Sequence, residues 1–271
     1  MKLAVSNIAW APEEEREARD ILRRSGVTAI EVAPTRIWPE WRGADGQAAA
    51  RARADFLADG FATPSFQAIL FGRPELKVFG DDDDRAAFLA HMETVAALAG
   101  AMGAGPLVFG SPKNRDPGDL SPEEAMAKAA DIFRAAGEIC ANHGATLVIE
   151  ANPSDYGCRF LTTWRDAAEF VRLTDHPNVR LHLDIACTEM AGDDAAAAAR
   201  ACADILAHVH ISEPQLGAFD APTADHAGFA AALRETGYDG YASLEMRRQG
   251  DGAEALDALA TAVAFASKTY G

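Results

Sequence analysis

No GxGxxG follows the first apolar run of this chain, no CxxC pair occurs, and no apolar stretch is long enough to span a bilayer. Each absence removes a class. Without the glycine fingerprint, a doubly wound dinucleotide-binding sheet loses its usual signature. Cys140, Cys158, Cys187 and Cys202 fit no zinc-finger spacing and read as reduced thiols of a cytoplasmic protein. Basic residues are scarce, with 25 Lys and Arg against 41 Asp and Glu and a net charge of −16. That field disfavours nucleic acid and anionic membrane surfaces as main partners. The opening "MKLAVSNIAWAPEEE" meets acids before a signal-peptide core could form, so no secretory leader is expected.

What is present is a rhythm. Short β-rich runs alternate with alanine-rich helical patterns eight times: 2–9, 27–34, 61–70, 104–112, "ATLVIEANP", 178–186, 208–214 and 240–247. Helix signals stand between them, such as Ser-Pro-Glu-Glu at 121–124 and the four aspartates opening 81–103. No linker-like tract divides the chain. Eight strand–helix units in 271 residues predict a (β/α)8 TIM barrel, an α/β fold, as a single domain over 1–271. The alternative is an open doubly wound sheet.

Chemistry in such a barrel gathers where the strands run out. The fifth run stops on Glu150, the sixth on Asp184, the seventh carries His210 and the eighth Glu245. A buried strand ending on an unpaired carboxylate is costly; four consecutive strands doing so imply a cation between them. Two Glu, one Asp and one His suit one divalent ion, Mn2+ or Mg2+ first, with Co2+ or Zn2+ open. The bland alternative is four unrelated polar residues capping strands near solvent.

The motifs "IEANP", "LHLDIA", "HVHISEP" and "SLEMR", with "VFGSPKNR" at the fourth run, resemble those of the xylose isomerase-like TIM barrels. This is the sugar phosphate isomerase/epimerase group, also called AP endonuclease family 2. The resemblance covers the whole chain and implies Glu150, Asp184, His210 and Glu245 as ligands of one divalent metal. It also has departures. Where ketose 3-epimerases of the group carry substrate-contacting His and Arg, this chain has Cys187 and Leu216. The endonuclease branch uses three zinc ions, extra histidines and a basic groove, against which stand the acidity and only seven His here.

Other residues are candidates beside simpler readings. Lys113, more than Arg115, is aimed by a Gly-Ser-Pro turn towards an anionic substrate group, or else is solvated. His182 and His208 share the inward face of Asp184 and His210 by the two-residue period, as core polar groups or as partners orienting the ligands. His226 begins a helix capped by Asp225 or Thr223, and is also a candidate for substrate binding or acid/base work. Asn7, Glu31 and Gln67 end the first three runs and are candidates to line the mouth, Asn7 and Gln67 as substrate-binding residues. Trp38, Trp41 and Phe71 are loop aromatics that could stack on a sugar.

The expected function is a divalent-metal-dependent isomerase or epimerase of a small sugar, keto-sugar or related polyhydroxy carbonyl compound. Glu150 and Glu245 would act as paired bases through a metal-stabilised enediolate. The alternatives are a metal-dependent lyase or dehydratase of a cyclitol or keto-sugar, and a non-catalytic sugar-binding barrel. Partners would be a carbohydrate alone, with homodimer or homotetramer left open.

Overall fold

The computed structural model describes residues 1–271. Seven parallel strands form one sheet: β1 (Lys2–Ser6), β2 (Ile30–Glu31), β3 (Pro106–Phe109), β4 (Thr146–Glu150), β5 (Val179–Asp184), β6 (Leu206–Ile211) and β7 (Tyr241–Leu244). Their spatial order is β2-β1-β7-β6-β5-β4-β3. The expected third strand, 61–70, is not a full strand. It contributes bridges only, Ala29 to Ala62, Val32 to Phe66 and Phe66 to Leu107. Pro64 has no N–H to give a ladder, and Ala68 turns the chain at φ 53. Those bridges still join β2 to β3. Val32 N donates to Ser65 O at 3.0 Å and Val108 N to Phe66 O at 2.8 Å, closing the ring.

The helices are α1 (Glu15–Arg24), α2 (Gly46–Ala58), α3 (Asp82–Met102), α4 (Pro122–Asn142), α5 (Trp164–Thr174), α6 (Ile185–Met190), α7 (Ala195–Ala201), α8 (His226–Glu235) and α9 (Ala253–Tyr270). Local sequence sets their ends. Asp81 accepts from the backbone N–H groups of Asp83 and Asp84, and Gly103 ends α3 at φ 80. Ser121 and Glu124 form a capping box on α4, and Asp225 caps α8 by accepting from Gly228 N. One apolar core of 70 buried residues unites strands and helices. None of the helices is long and apolar enough to cross a membrane. All four cysteines are free and buried.

The barrel interior is not wholly apolar. Beneath the C-terminal ends of the strands, Glu31, fully buried, accepts hydrogen bonds from Ser65 Oγ (2.6 Å) and Ser243 Oγ (3.0 Å) and bonds His208 Nε2 (2.7 Å). Gln67 Nε2 donates to Ser6 Oγ at 2.6 Å nearby. This polar floor underlies the site above it.

Candidate metal centre

Parallel register aligns the strand ends: Glu150 pairs with His182, His182 with His208, and Asp184 with His210. Glu150 ends β4, Asp184 ends β5 and caps α6, His210 lies in β6, and Glu245 follows β7. The four residues expected from the sequence therefore meet. His210 Nδ1 lies 3.1 Å from Glu245 Oε2, 3.8 Å from Glu150 Oε1 and 3.8 Å from Asp184 Oδ2. It is buried and has no hydrogen-bond partner. Such an orphaned imidazole nitrogen facing three carboxylates fits a divalent cation, because the ion satisfies the nitrogen and the negative charges together. Ligand atoms of Glu150, Asp184 and His210 all lie within 4.8 Å of one another.

Partners hold each group from behind. Asp184 Oδ1 accepts from Cys187 N (2.6 Å) and Oδ2 from Ser212 Oγ (2.7 Å). His210 Nε2 sits 2.8 Å from Glu31 Oε1, although off the line of a hydrogen bond. Glu31 lies fully buried below the centre, not at its mouth. Burial pushes the Glu150 carboxyl up to about 8, with Asp184 and Glu245 adding repulsion that His210 only partly offsets. Burial and Glu245 likewise raise Asp184. Without a cation the carboxylates cannot all ionise comfortably; with one they can. Below them, His182 has no hydrogen bond on either nitrogen, and its Nδ1 stands 3.5 Å from Glu150 Oε1.

Glu150 is further held by residues the sequence reading ranked low or missed. Asn152 Nδ2 donates to Glu150 Oε2 at 3.0 Å. Arg115, fully buried, donates to Asn152 Oδ1 at 2.9 Å and to Glu150 O at 2.8 Å. A guanidinium only donates, so it fixes the amide with its oxygen towards Arg115 and its nitrogen towards Glu150. Oε2 is thereby engaged and Oε1 faces His210. Lys113 is exposed and does not line the cavity. The ranking of the two cations is thus reversed. Ser111 at φ 32 starts the helical turn Pro112–Arg115, which directs Arg115 inward and Lys113 out.

The cavity over the centre holds about 280 Å3 and is lined by the three carboxylate residues with Asn152, Tyr156, Ala186, Cys187, Ser212, Glu213, Gln215, Leu216 and Arg247. That is near the lower end for small-molecule sites, roughly 300–1,000 Å3. Asn7, Gln67 and His226 are absent from this lining. Asn7 Oδ1 accepts from Ala33 N, and Gln67 joins the floor. His226 stands behind the wall, with Nε2 2.8 Å from Glu213 Oε1 and Nδ1 2.8 Å from Tyr270 OH. Trp38, Trp41 and Phe71 lie outside the cavity lining as well; Trp41 Nε1 donates to Phe71 O at 3.0 Å.

A model of the xylose isomerase-like TIM barrels matches residues 19–267. The chain belongs to this family. Solved structures of similar fold include a D-psicose 3-epimerase with D-tagatose from Clostridium cellulolyticum H10 (15% identity, TM-score 0.82, covering 100% of this chain and 99% of that one). Another is a probable 3-DHS dehydratase from Bacillus anthracis (17%, TM-score 0.71, 97% and 98%). A third is the IOLI protein with a binding zinc atom (17%, TM-score 0.73, 99% and 96%). No curated protein sequence matches significantly. At these identities the likeness shows the barrel alone, so the chemistry of this chain rests on its own strand ends.

Proposed function

We propose that this protein is a divalent-metal-dependent isomerase or epimerase of a small sugar, keto-sugar or related polyhydroxy carbonyl compound. The observation that carries it is the bare His210 Nδ1 facing Glu150, Asp184 and Glu245 at the floor of a small cavity. Glu150, Asp184, His210 and Glu245 would hold the ion, with Mn2+ or Mg2+ suiting the oxygen-rich set and Co2+ or Zn2+ as substitutes. When bound, it supplies Lewis acidity and a template for a carbonyl and neighbouring hydroxyl.

The chain's own groups then move the proton. Glu150 and Glu245 come from strand ends separated by β5 and β6, so they approach a substrate from opposite sides. One removes the proton beside the carbonyl; the other returns a proton to the opposite face or to the neighbouring carbon. Asp184, with both oxygens engaged, is a ligand only. Burial raises the Tyr156 phenol to about 12, so it stays a hydrogen-bond donor at the rim. The D-tagatose-bound epimerase of the same fold supports the sugar class.

A second reading is a lyase on the same site. Cys187 and Leu216 do line the cavity, where the ketose 3-epimerase pattern has His and Arg. After the same proton removal, a β-hydroxyl would leave as water. Metal analysis followed by solvent-deuterium exchange on ketoses, inososes and hydroxypyruvate tests both. Exchange without loss of water supports the isomerase, exchange with dehydration supports the lyase, and a protein that loads no divalent ion sinks both.

A further inference from the structure

We propose that Arg247 forms an anion subsite at the rim of the cavity, and that the substrate carries a carboxylate or phosphate at the end remote from its carbonyl. This rests on the reading above. Arg247 is the only cation lining a cavity that also presents Glu150, Asp184, Glu213 and Glu245. The acids have partners: three surround His210, and Glu213 bonds His226, Thr223 and Ala224. Arg247 is exposed at the rim, and its guanidinium has no partner within the protein. Only its backbone is engaged, with N donating to Leu216 O at 3.1 Å and O accepting from Gln249 Nε2 at 2.9 Å. The next residue makes the contrast: Arg248 donates to both oxygens of Glu14, at 2.7 and 2.8 Å, and also pairs with Asp251.

The rim around Arg247 is built, not loose. Gln215 and Leu216 adopt left-handed φ values of 60 and 53, conformations costly for residues with a side chain. They are strapped on one side by Gln215 N donating to Tyr156 OH at 3.0 Å, and on the other by Leu216 O accepting from Arg247 N and Gln249 Nε2. That fixes the start of the Arg247 side chain. Its Cα is at most about 7 Å from that of Glu245, two residues back. Arg247 lines the same small cavity as the carboxylate cluster, so one small molecule can meet both. The charge balance agrees. Three carboxylates around one dication leave a net negative charge, which repels an anionic substrate unless a cation faces its far end. A planar guanidinium matches carboxylate or phosphate through two parallel hydrogen bonds.

Three ligands that share one carbon skeleton make the test: D-fructose, D-fructuronate and D-fructose 6-phosphate. Binding is measured by calorimetry on the wild type, Arg247→Gln and Arg247→Lys, with and without Mn2+, after melting curves confirm that the variants fold. At least one anion should bind ~10-fold or more tighter than D-fructose, the scale of a charge-assisted hydrogen bond. Arg247→Gln should abolish that advantage, so that the anions bind no tighter than D-fructose, while Arg247→Lys keeps part of it. Which anion gains separates carboxylate from phosphate. Equal binding of all three, an advantage that survives in Arg247→Gln, or no binding at all overturns the subsite. Proton exchange on D-fructose without any anion preference would overturn the subsite alone. A protein that takes up no Mn2+ would count against the proposed reaction instead.

Discussion

Glu150 and Glu245 face each other across the cavity, from the β4 wall and the β7 wall. Their side chains are about equally buried, 11% and 12% exposed. Their restraint differs. Glu150 is gripped through Asn152, itself oriented by Arg115, and Gly110 leaves room for it: a Cβ there would lie 2.2 Å from Glu150 Oε2. Glu245 meets His210 Nδ1 at 3.1 Å, and its side chain makes no other polar contact. The β4 wall thus presents one oxygen in a fixed direction, as the proposed ligand role requires, whereas the β7 carboxylate has no second polar contact to fix it, which suits the proposed role of a base. The two glutamates are alike in sequence and unlike in function-bearing geometry.

The largest effect should come where the walls meet. His210→Ala removes the nitrogen that both carboxylates face, and should weaken Mn2+ binding by more than the ~10–100-fold typical of losing a partner behind a ligand. A manganese titration reads this directly; unchanged affinity would remove the centre. The glutamates come next. Glu245→Gln should keep most metal affinity and lose ~10²-fold or more in kcat. Glu150→Gln should lose turnover on that scale and metal affinity as well. Equal losses in both quantities for both variants would erase the asymmetry. Smaller again is the grip on the β4 wall. Asn152→Ala and Gly110→Ala should each lower metal affinity ~10-fold, the first by freeing Glu150 and the second by displacing it, with circular dichroism unchanged. A normal titration for both would show that Glu150 needs no clamp. The smallest effect belongs to Lys113→Met, an exposed site outside the cavity, where kinetics and melting temperature should stay close to wild type. A raised KM there would return Lys113 to the substrate.

The barrel was legible because period and punctuation are local: apolar runs, capping residues such as Ser121 and Asp225, and breaks such as Asn-Pro after Glu150 all act within a few residues. The strand-end positions of Glu150, Asp184, His210 and Glu245 followed from that alternation, since parallel strands in a barrel finish at one face. The third strand was overread because a composition suited to β-structure does not reveal that Pro64 and the turn at Ala68 reduce it to bridges.

What the sequence alone determined is therefore which residues end which strands. What only the tertiary structure decided is which neighbours reach them. Arg115 is separated from Glu150 by 35 residues and Glu31 from His208 by 177, and no local pattern records such contacts. One left-handed residue, Ser111, sent Arg115 inward and Lys113 out. The pairing of buried charges is settled by distance in the folded chain, because a carboxylate in the interior takes whichever donor the packing brings within hydrogen-bond reach.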